Sequence, residues 1–249
     1  MFDATAWTLP ETTLDPIDIR RAAAESGACC VRGAGLDDAA FVALLERFGP
    51  LMFTDGETAV PGHAALNIVT NAGRATPPRS RFHSDSTYFR RPPLFTALRV
   101  AEVPRAGGGT VIVDTRTLWG GLPDADKDAL RGVRVLHRVS GLDVPEGAET
   151  EAWHPLVRRQ PETGRAGFFL TVPERMVEAE DDAGRDVTAL VHDLYEEALA
   201  LPAATHHWQA GDLLFWDNRI TLHKGDHRAV DGTRTLHRGM VEGEVPEAA

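Results

Sequence analysis

The spacing of apolar side chains changes period several times along this chain, and each change marks an element. Asp15 and Pro16 suit a helix start, because a short acidic side chain caps free N–H groups and proline loses nothing at the first helical position. A helix is therefore expected over residues 16–26, stopped by Gly27, with a strand over 28–32. Asp37 and Asp38 open a second helix, whose Phe41, Leu44, Leu45 and Phe48 form an i, i+3, i+4, i+7 stripe. Residues 186–201 carry the clearest such stripe, with Val187, Leu190, Val191, Leu194, Ala198 and Leu201 on one face. A shorter helix is expected at 124–130. Strands are expected at 65–69, 82–88, 94–103, 110–114, 133–139, 166–171, 206–209, 213–217, 220–222 and 233–242.

Between these elements the chain is rich in glycine and proline. Residues 49–80 form a long loop broken by one strand, and residues 140–185 are a second irregular region; both read as lid segments over a substrate. The acidic run at 178–182 reads as a solvated loop. Many short strands with helices mostly on one side imply a mainly β protein with flanking helices, a β-sandwich or jelly roll, in a single domain over residues 1–249.

Composition narrows the classes. Lys+Arg 26 against Asp+Glu 37 gives a formal charge of -11, which argues against a nucleic-acid partner. No apolar run is long enough to span a membrane, and the N-terminus shows no signal peptide. The two cysteines, Cys29 and Cys30, are adjacent, so alternation along a strand sends them to opposite faces. Free thiols point to a reducing, cytoplasmic setting. The turn Gly33-Ala34-Gly35 lacks the third glycine of a dinucleotide loop.

The candidate chemistry begins with His83-Ser84-Asp85. In a strand, positions i and i+2 share a face, so His83 and Asp85 can reach one ion. His223, at the end of its own apolar strand, supplies a third ligand. Two histidines and one carboxylate form the facial triad of non-haem Fe(II) oxygenases, which leaves positions open for reactants, whereas a structural zinc site is closed by four ligands.

Several motifs in order then resemble the taurine / 2,4-dichlorophenoxyacetate dioxygenase family of Fe(II)- and 2-oxoglutarate-dependent oxygenases. They are Phe82 to Tyr88, Ala106-Gly107-Gly108-Gly109-Thr110, His154 to Arg158 with Thr163-Gly164-Arg165, Trp216 to Arg219 with His223, and Arg234 to Arg238. Together they span about residues 80–240. The resemblance implies a double-stranded β-helix (jelly-roll, cupin-like) core and Fe(II) held by His83, Asp85 and His223. It also implies that Thr110 and Arg234 hold the distal carboxylate of 2-oxoglutarate. A guanidinium suits that task, being a planar and permanently charged fork. O2 is the further cosubstrate, and succinate and CO2 are released as a substrate C–H bond is oxidised. Hydroxylation is the default outcome, with desaturation or cyclisation open; an aspartate as third ligand argues against halogenation.

In family members acting on sulfonates or carboxylates, the arginine matching Arg238 grips the substrate anion. Members that act on taurine have an amide four residues before the first metal histidine, where this chain has Arg79. The substrate is thus expected to be a small anionic or amino-acid-derived molecule other than taurine, with Arg79 or Arg81 meeting a second anionic group. Phe168, Phe169, Tyr88 and Phe89 are candidate pocket walls. Asp217, Asn218 and Arg219 are expected to orient His223, and His206, His207, His227 and His237 are set aside. A homo-oligomer is a family-level expectation. Two other readings stay open on the residues: a Zn2+-dependent hydrolase using the same three ligands, and a non-catalytic binding protein on a jelly-roll scaffold.

Overall fold

The computed structural model describes residues 10–73 and 80–249. Helix α1 (Pro16–Ser26) starts as its sequence dictates: Asp15 accepts the Ile17 N–H at 2.8 Å, and Gly27 leaves the helix with φ 74°. Strand β1 (Ala28–Val31) follows, then α2 (Asp38–Glu46), where Asp37 accepts the Ala40 N–H at 2.8 Å. Next come β2 (Leu51–Met52), β3 (Ala59–Val60) and β4 (His63–Thr70), so the segment after residue 49 holds more strand than its glycines and prolines suggest. The chain continues with β5 (Pro93–Glu102), β6 (Thr110–Asp114), α3 (Arg116–Gly121), α4 (Asp124–Arg131) and β7 (Arg134–Arg138). Four strands, β8 (Glu151–Pro155), β9 (Val157–Arg159), β10 (Ala166–Phe168) and β11 (Met176–Glu180), divide the second irregular region. Helix α5 (Thr188–Leu199), β12 (Ala203–His206), β13 (Leu213–Asp217), β14 (Thr221–Gly225) and β15 (Thr235–Glu242) complete the chain.

The largest sheet runs β1-β13-β5-β15-β4-β3, with β2 also paired to β15, and a smaller sheet runs β12-β6-β14. Alternation along the strands sorts their side chains into layers. In β13, Leu213 and Phe215 face a cluster that includes Ile19, Phe41 and Leu45 of α1 and α2. Leu214 and Trp216 face inward, against Leu98, Ile112, Ala204 and Leu236 from both sheets. Cys29 and Cys30 divide in the same way, one per layer. On the far side of the smaller sheet, Val113 and Leu222 pack with Val191, Leu194, Tyr195 and Ala198 of α5. The architecture is the expected double-stranded β-helix, with helices covering both sheets, and the inward residues of β6, β14 and β15 frame the site.

Three sequence expectations are corrected. Residues 82–88 are not a strand: only His83 pairs, exchanging backbone hydrogen bonds with His223 at 3.0 and 2.9 Å. The chain then turns, with Ser86 at φ 44°. Ser84 Oγ donates to the Thr221 carbonyl at 2.7 Å, a side-chain bond that anchors this segment, and the Ser-Asp-Ser-Thr run is turn chemistry. Residues 206–209 are not a strand either; β12 ends at His206, because Asp212 accepts the Gln209 N–H at 2.9 Å and commits the following residues to a turn. The acidic run at 178–182 begins within β11, which pairs with β7 and buries Met176 and Ala179 while its glutamates face water. The short helix α3 was not anticipated: six residues ending in Gly-Gly carry no periodic signal.

Candidate metal centre and anion pocket

Strand β14 and the bridge to His83 set the first two ligands side by side. Their rings lie 4.3 Å apart, and Asp85 reaches both from the turn that follows. His83 Nε2 stands 3.6 Å from Asp85 Oδ1, and His223 Nε2 stands 3.6 Å from Asp85 Oδ2. These are gaps that ligand bonds of about 2.1 Å span. One ligand atom from each residue lies within 4.8 Å of the others. His83 Nδ1 is 2.9 Å from the Arg81 carbonyl. Donation there places the proton on Nδ1 and leaves Nε2 with a free lone pair, the form a metal ligand requires.

The electrostatics suit an ion. Burial opposes charge on Asp85, yet His223, Arg238 and His83 hold its carboxyl well below the usual carboxylate range. Burial pushes His223 down to about 3, so its imidazole is neutral at physiological pH and available as a ligand. Asp85 is also held mechanically. Thr96 Oγ1 donates to Asp85 Oδ2 at 2.7 Å and accepts from Asn218 Nδ2 at 2.8 Å. Asn218 Oδ1 accepts from Trp216 Nε1 at 3.1 Å and from the Asp85 N–H at 3.4 Å. Asn218 therefore steadies Asp85, while Trp216 lies against His223 at 4.3 Å between ring centres. Asp217 and Arg219 pair with each other at 2.6 Å, and Gln160 donates to Asp217 at 2.7 Å, which makes that turn rigid.

Arg234 lies just before β15, 2 % exposed, in a cavity of about 190 Å³ that also touches His83, His223 and Thr110. Its Nε donates to the Gly108 carbonyl at 2.6 Å and its Nη2 to Thr110 Oγ1 at 3.2 Å. No carboxylate pairs with it among the described residues, and burial alone lowers its guanidinium to about 10, still charged near neutrality. Thr110 Oγ1 also accepts from Trp208 Nε1 at 3.2 Å. With donors already on its oxygen, the threonine has its own O–H left to give. Gly108, at φ +72°, makes the close approach possible, because a Cβ there would lie 2.9 Å from Arg234 Cδ. A buried cation and a hydroxyl donor beside a metal triad form an anion receptor.

The model of the "Taurine catabolism dioxygenase TauD, TfdA family" matches residues 4–240. The chain belongs to this family. It is 31% identical over 177 residues to an "Alpha-ketoglutarate-dependent 2,4-dichlorophenoxyacetate dioxygenase" of Burkholderia sp. (strain RASC), a match covering 65% of this chain and 58% of that protein. It is 30% identical over 216 residues to "Pentalenolactone F synthase" of Streptomyces arenae, covering 74% of this chain and 71% of that one. The crystal structure of a taurine dioxygenase from Burkholderia xenovorans superposes with TM-score 0.79 at 26% identity, over 98% of this chain and 92% of the other. The chain matches little more than half the length of the dichlorophenoxyacetate enzyme.

The remaining candidates of this TauD, TfdA family member divide. Arg238 is inside, but its charge is engaged: Nη1 donates to Asp85 Oδ1 at 3.2 Å, Nη2 pairs with Glu57, and Asn67 Oδ1 lies 3.4 Å away. His237 faces outward as alternation requires, 2.6 Å from Asp38. Arg81 borders the site and pairs with Glu174. Arg79 lies outside the described residues. Phe169 lines neither of the two cavities that touch His83; it is 1% exposed, with the Arg158 guanidinium 4.6 Å above its ring and His137 and His154 at 5.1 and 5.4 Å. Phe168 is likewise core, packed on Trp119. Tyr88 lines another cavity, which shares His83 and Arg238 with that of Arg234, and His227, set aside on sequence, lines the Arg234 cavity. Thr96, Trp208 and Glu57 carried no motif and were missed; only their distance from the ligands in space marks them.

Proposed function

We propose that this chain is an Fe(II)- and 2-oxoglutarate-dependent dioxygenase. It oxidises an unactivated C–H bond of a small, anionic or amino-acid-derived substrate, by hydroxylation in the default case, and releases succinate and CO2. The observation that carries this reading is Arg234: a buried guanidinium without a carboxylate partner among the described residues, facing Thr110, in a cavity that opens on His83 and His223. A metal-dependent hydrolase needs the triad but has no use for this second receptor. Family membership supports the same reading.

Fe(II), when bound, supplies the O2 chemistry; the residues supply placement. His83, Asp85 and His223 would hold the ion, with Thr96 and Asn218 fixing the carboxylate. Arg234 and Thr110 would orient 2-oxoglutarate through its distal carboxylate, so that its keto acid end faces the triad. A second cavity, of about 200 Å³, shares His83 and Arg238 with the first. It is walled by Thr54 and Glu57 from one expected lid segment and by Leu142, Val172 and Arg175 from the other, which supports a substrate-side role for both segments. The whole forms one catalytic domain in this reading. The free, buried Cys29 and Cys30 support a cytoplasmic setting, and no helix among the described residues is long and apolar enough to cross a membrane.

Anaerobic addition of Fe(II) and 2-oxoglutarate is expected to give a weak visible charge-transfer band, and aerobic turnover to give succinate that depends on His223. Arg234→Ala should weaken 2-oxoglutarate binding at least tenfold. No band, together with unchanged 2-oxoglutarate affinity in Arg234→Ala, overturns the assignment. Metal-dependent hydrolysis without 2-oxoglutarate would favour the hydrolase, and binding without turnover the non-catalytic scaffold.

A further inference from the structure

The substrate-side cavity carries charges of both signs, and all but one of them are already paired: Arg81 meets Glu174, and Arg238 meets Asp85 and Glu57. Arg238 faces two carboxylates, Asp85 at 3.2 Å and Glu57, so it has no spare positive charge for an incoming anion. Glu57 uses one oxygen on Arg238, and its other oxygen has no partner among the described residues. Arg175 is different. Its Nε and Nη2 make long bonds, 3.3 Å each, to the hydroxyl and carbonyl of Ser140, and no carboxylate pairs with it among the described residues.

Tyr88 stands beside this unpaired cation. It is 1 % exposed, and its hydroxyl lies beside Ser86 without a well-formed hydrogen bond among the described residues. Neighbouring Ser86 shares its hydrogen bond with Thr54 at 3.0 Å. Burial raises the Tyr88 phenol above its ordinary value, and the Arg175 charge opposes that rise, so the two groups act on one another. A buried hydroxyl so weakly held is unfavourable, and a ligand that accepts from it removes that penalty. A guanidinium and a phenol donor on one cavity wall make a carboxylate receptor. Glu57 in the same cavity makes an ammonium receptor.

From this we propose that the substrate is a small amino-carboxylate zwitterion, its carboxylate held by Arg175 and Tyr88 and its ammonium by Glu57, with Arg238 steadying Asp85 and Glu57 instead of gripping the substrate anion. The proposal rests on the oxygenase reading above. The cavity, about 200 Å³, has room for a molecule the size of a free amino acid.

The test loads the enzyme with Fe(II) and 2-oxoglutarate and adds the standard L-amino acids, β-alanine and γ-aminobutyrate. Each is set beside the amine lacking its carboxylate and the acid lacking its amine. Succinate release and a shift of the anaerobic visible band are read together. At least one zwitterion is expected to shift the band and to raise succinate release tenfold more than either half-molecule. Arg175→Gln should raise its KM at least tenfold, with partial recovery in Arg175→Lys, and Glu57→Gln should narrow its advantage over the amine-free acid. If the band forms but amine-free acids serve as well as zwitterions, or no zwitterion acts, the proposal is wrong and the oxygenase reading stands. Unchanged KM in Arg175→Gln also overturns it. If the band never forms, the oxygenase reading fails and takes the proposal with it. Should Arg175→Gln not melt cooperatively, Arg175→Lys and the half-molecule comparison decide alone.

Discussion

Asp85 shows how much of a metal ligand lies outside the ligand itself. Its carboxylate receives Thr96 Oγ1 at 2.7 Å, and Thr96 in turn is held by Asn218. Removing such a support commonly costs 10–100-fold in metal affinity. Thr96→Val, which keeps the shape and removes both bonds, is therefore expected to weaken Fe(II) binding within about that range, read by anaerobic titration; unchanged affinity would show that Arg238 and the Asn218 contact to its N–H position Asp85 without Thr96. Gly108 supports the other receptor. Alanine there adds roughly 1–2 kcal/mol of left-handed backbone strain and a Cβ 2.9 Å from Arg234 Cδ. The strain lowers stability, whereas the Cβ displaces the Arg234 side chain from Thr110, so the KM for 2-oxoglutarate in Gly108→Ala should rise on the order of tenfold, about 1.4 kcal/mol of binding, while the metal affinity of the apoenzyme stays as it was.

Elements differ in whether they carry the site or only support it. Strands β14 and β15 bring His223 and Arg238 inward by alternation, and β5 pairs with β15 so that Thr96 sits under Asp85. Helix α1 does neither; Ile19 and Ala23 pack on the outer face of the larger sheet. Its cap at Asp15 is separable from chemistry. Asp15→Ala should cost about 1 kcal/mol, a fall of about 2–4 °C in Tm for a chain of this size, with 2-oxoglutarate affinity unchanged. A loss of cosubstrate binding in this variant would mean that the outer layer is coupled to the pocket. The element that sequence misread, residues 82–88, is instructive for the same reason. Alternation placed His83 and Asp85 on one face of a strand; in fact the residues converge because the chain leaves the sheet after His83 and turns.

At the scale of the molecule, buried histidines set the acid limit of stability. His137 is fully buried between His154 and Phe169, and neither of its ring nitrogens has a partner among the described residues. Burial, with His154 and Arg158 adding to it, pushes its imidazole well below the ordinary value; burial followed by Arg158 lowers His154 to about 4. Both groups bind protons more readily in the unfolded chain. Their contribution to stability is thus fully present above the unfolded value near 6.5 and is lost as pH falls toward about 4, at up to roughly 1.4 kcal/mol per pH unit for each group. Tm should therefore drop steeply between pH 6.5 and 4. In His137→Phe the gain over wild type should be larger at pH 5 than at pH 7.5; equal gains would assign the acid sensitivity to other groups.

Local chemistry determined a good deal by itself. Caps, glycine stops and apolar period located α1, α2, β6 and β13, because those signals act over a few residues and do not depend on what packs against them. The motif order, with His83, Asp85, Thr110, His223 and Arg234 spaced as in a known family, pointed to that family for the same reason. What the tertiary structure decided is which charges are already balanced. Nothing in the chain around residue 57 announces that Glu57 meets Arg238, 181 residues away, nor that Arg175 has no such partner among the described residues. Charge pairing is a property of distance in space, and a sheet that sets β4, β5 and β15 side by side brings together groups that sequence keeps far apart. That is why the three residues of the metal triad were legible from the sequence, whereas Thr96, Trp208, Glu57 and Arg175 came into view only once the chain was folded.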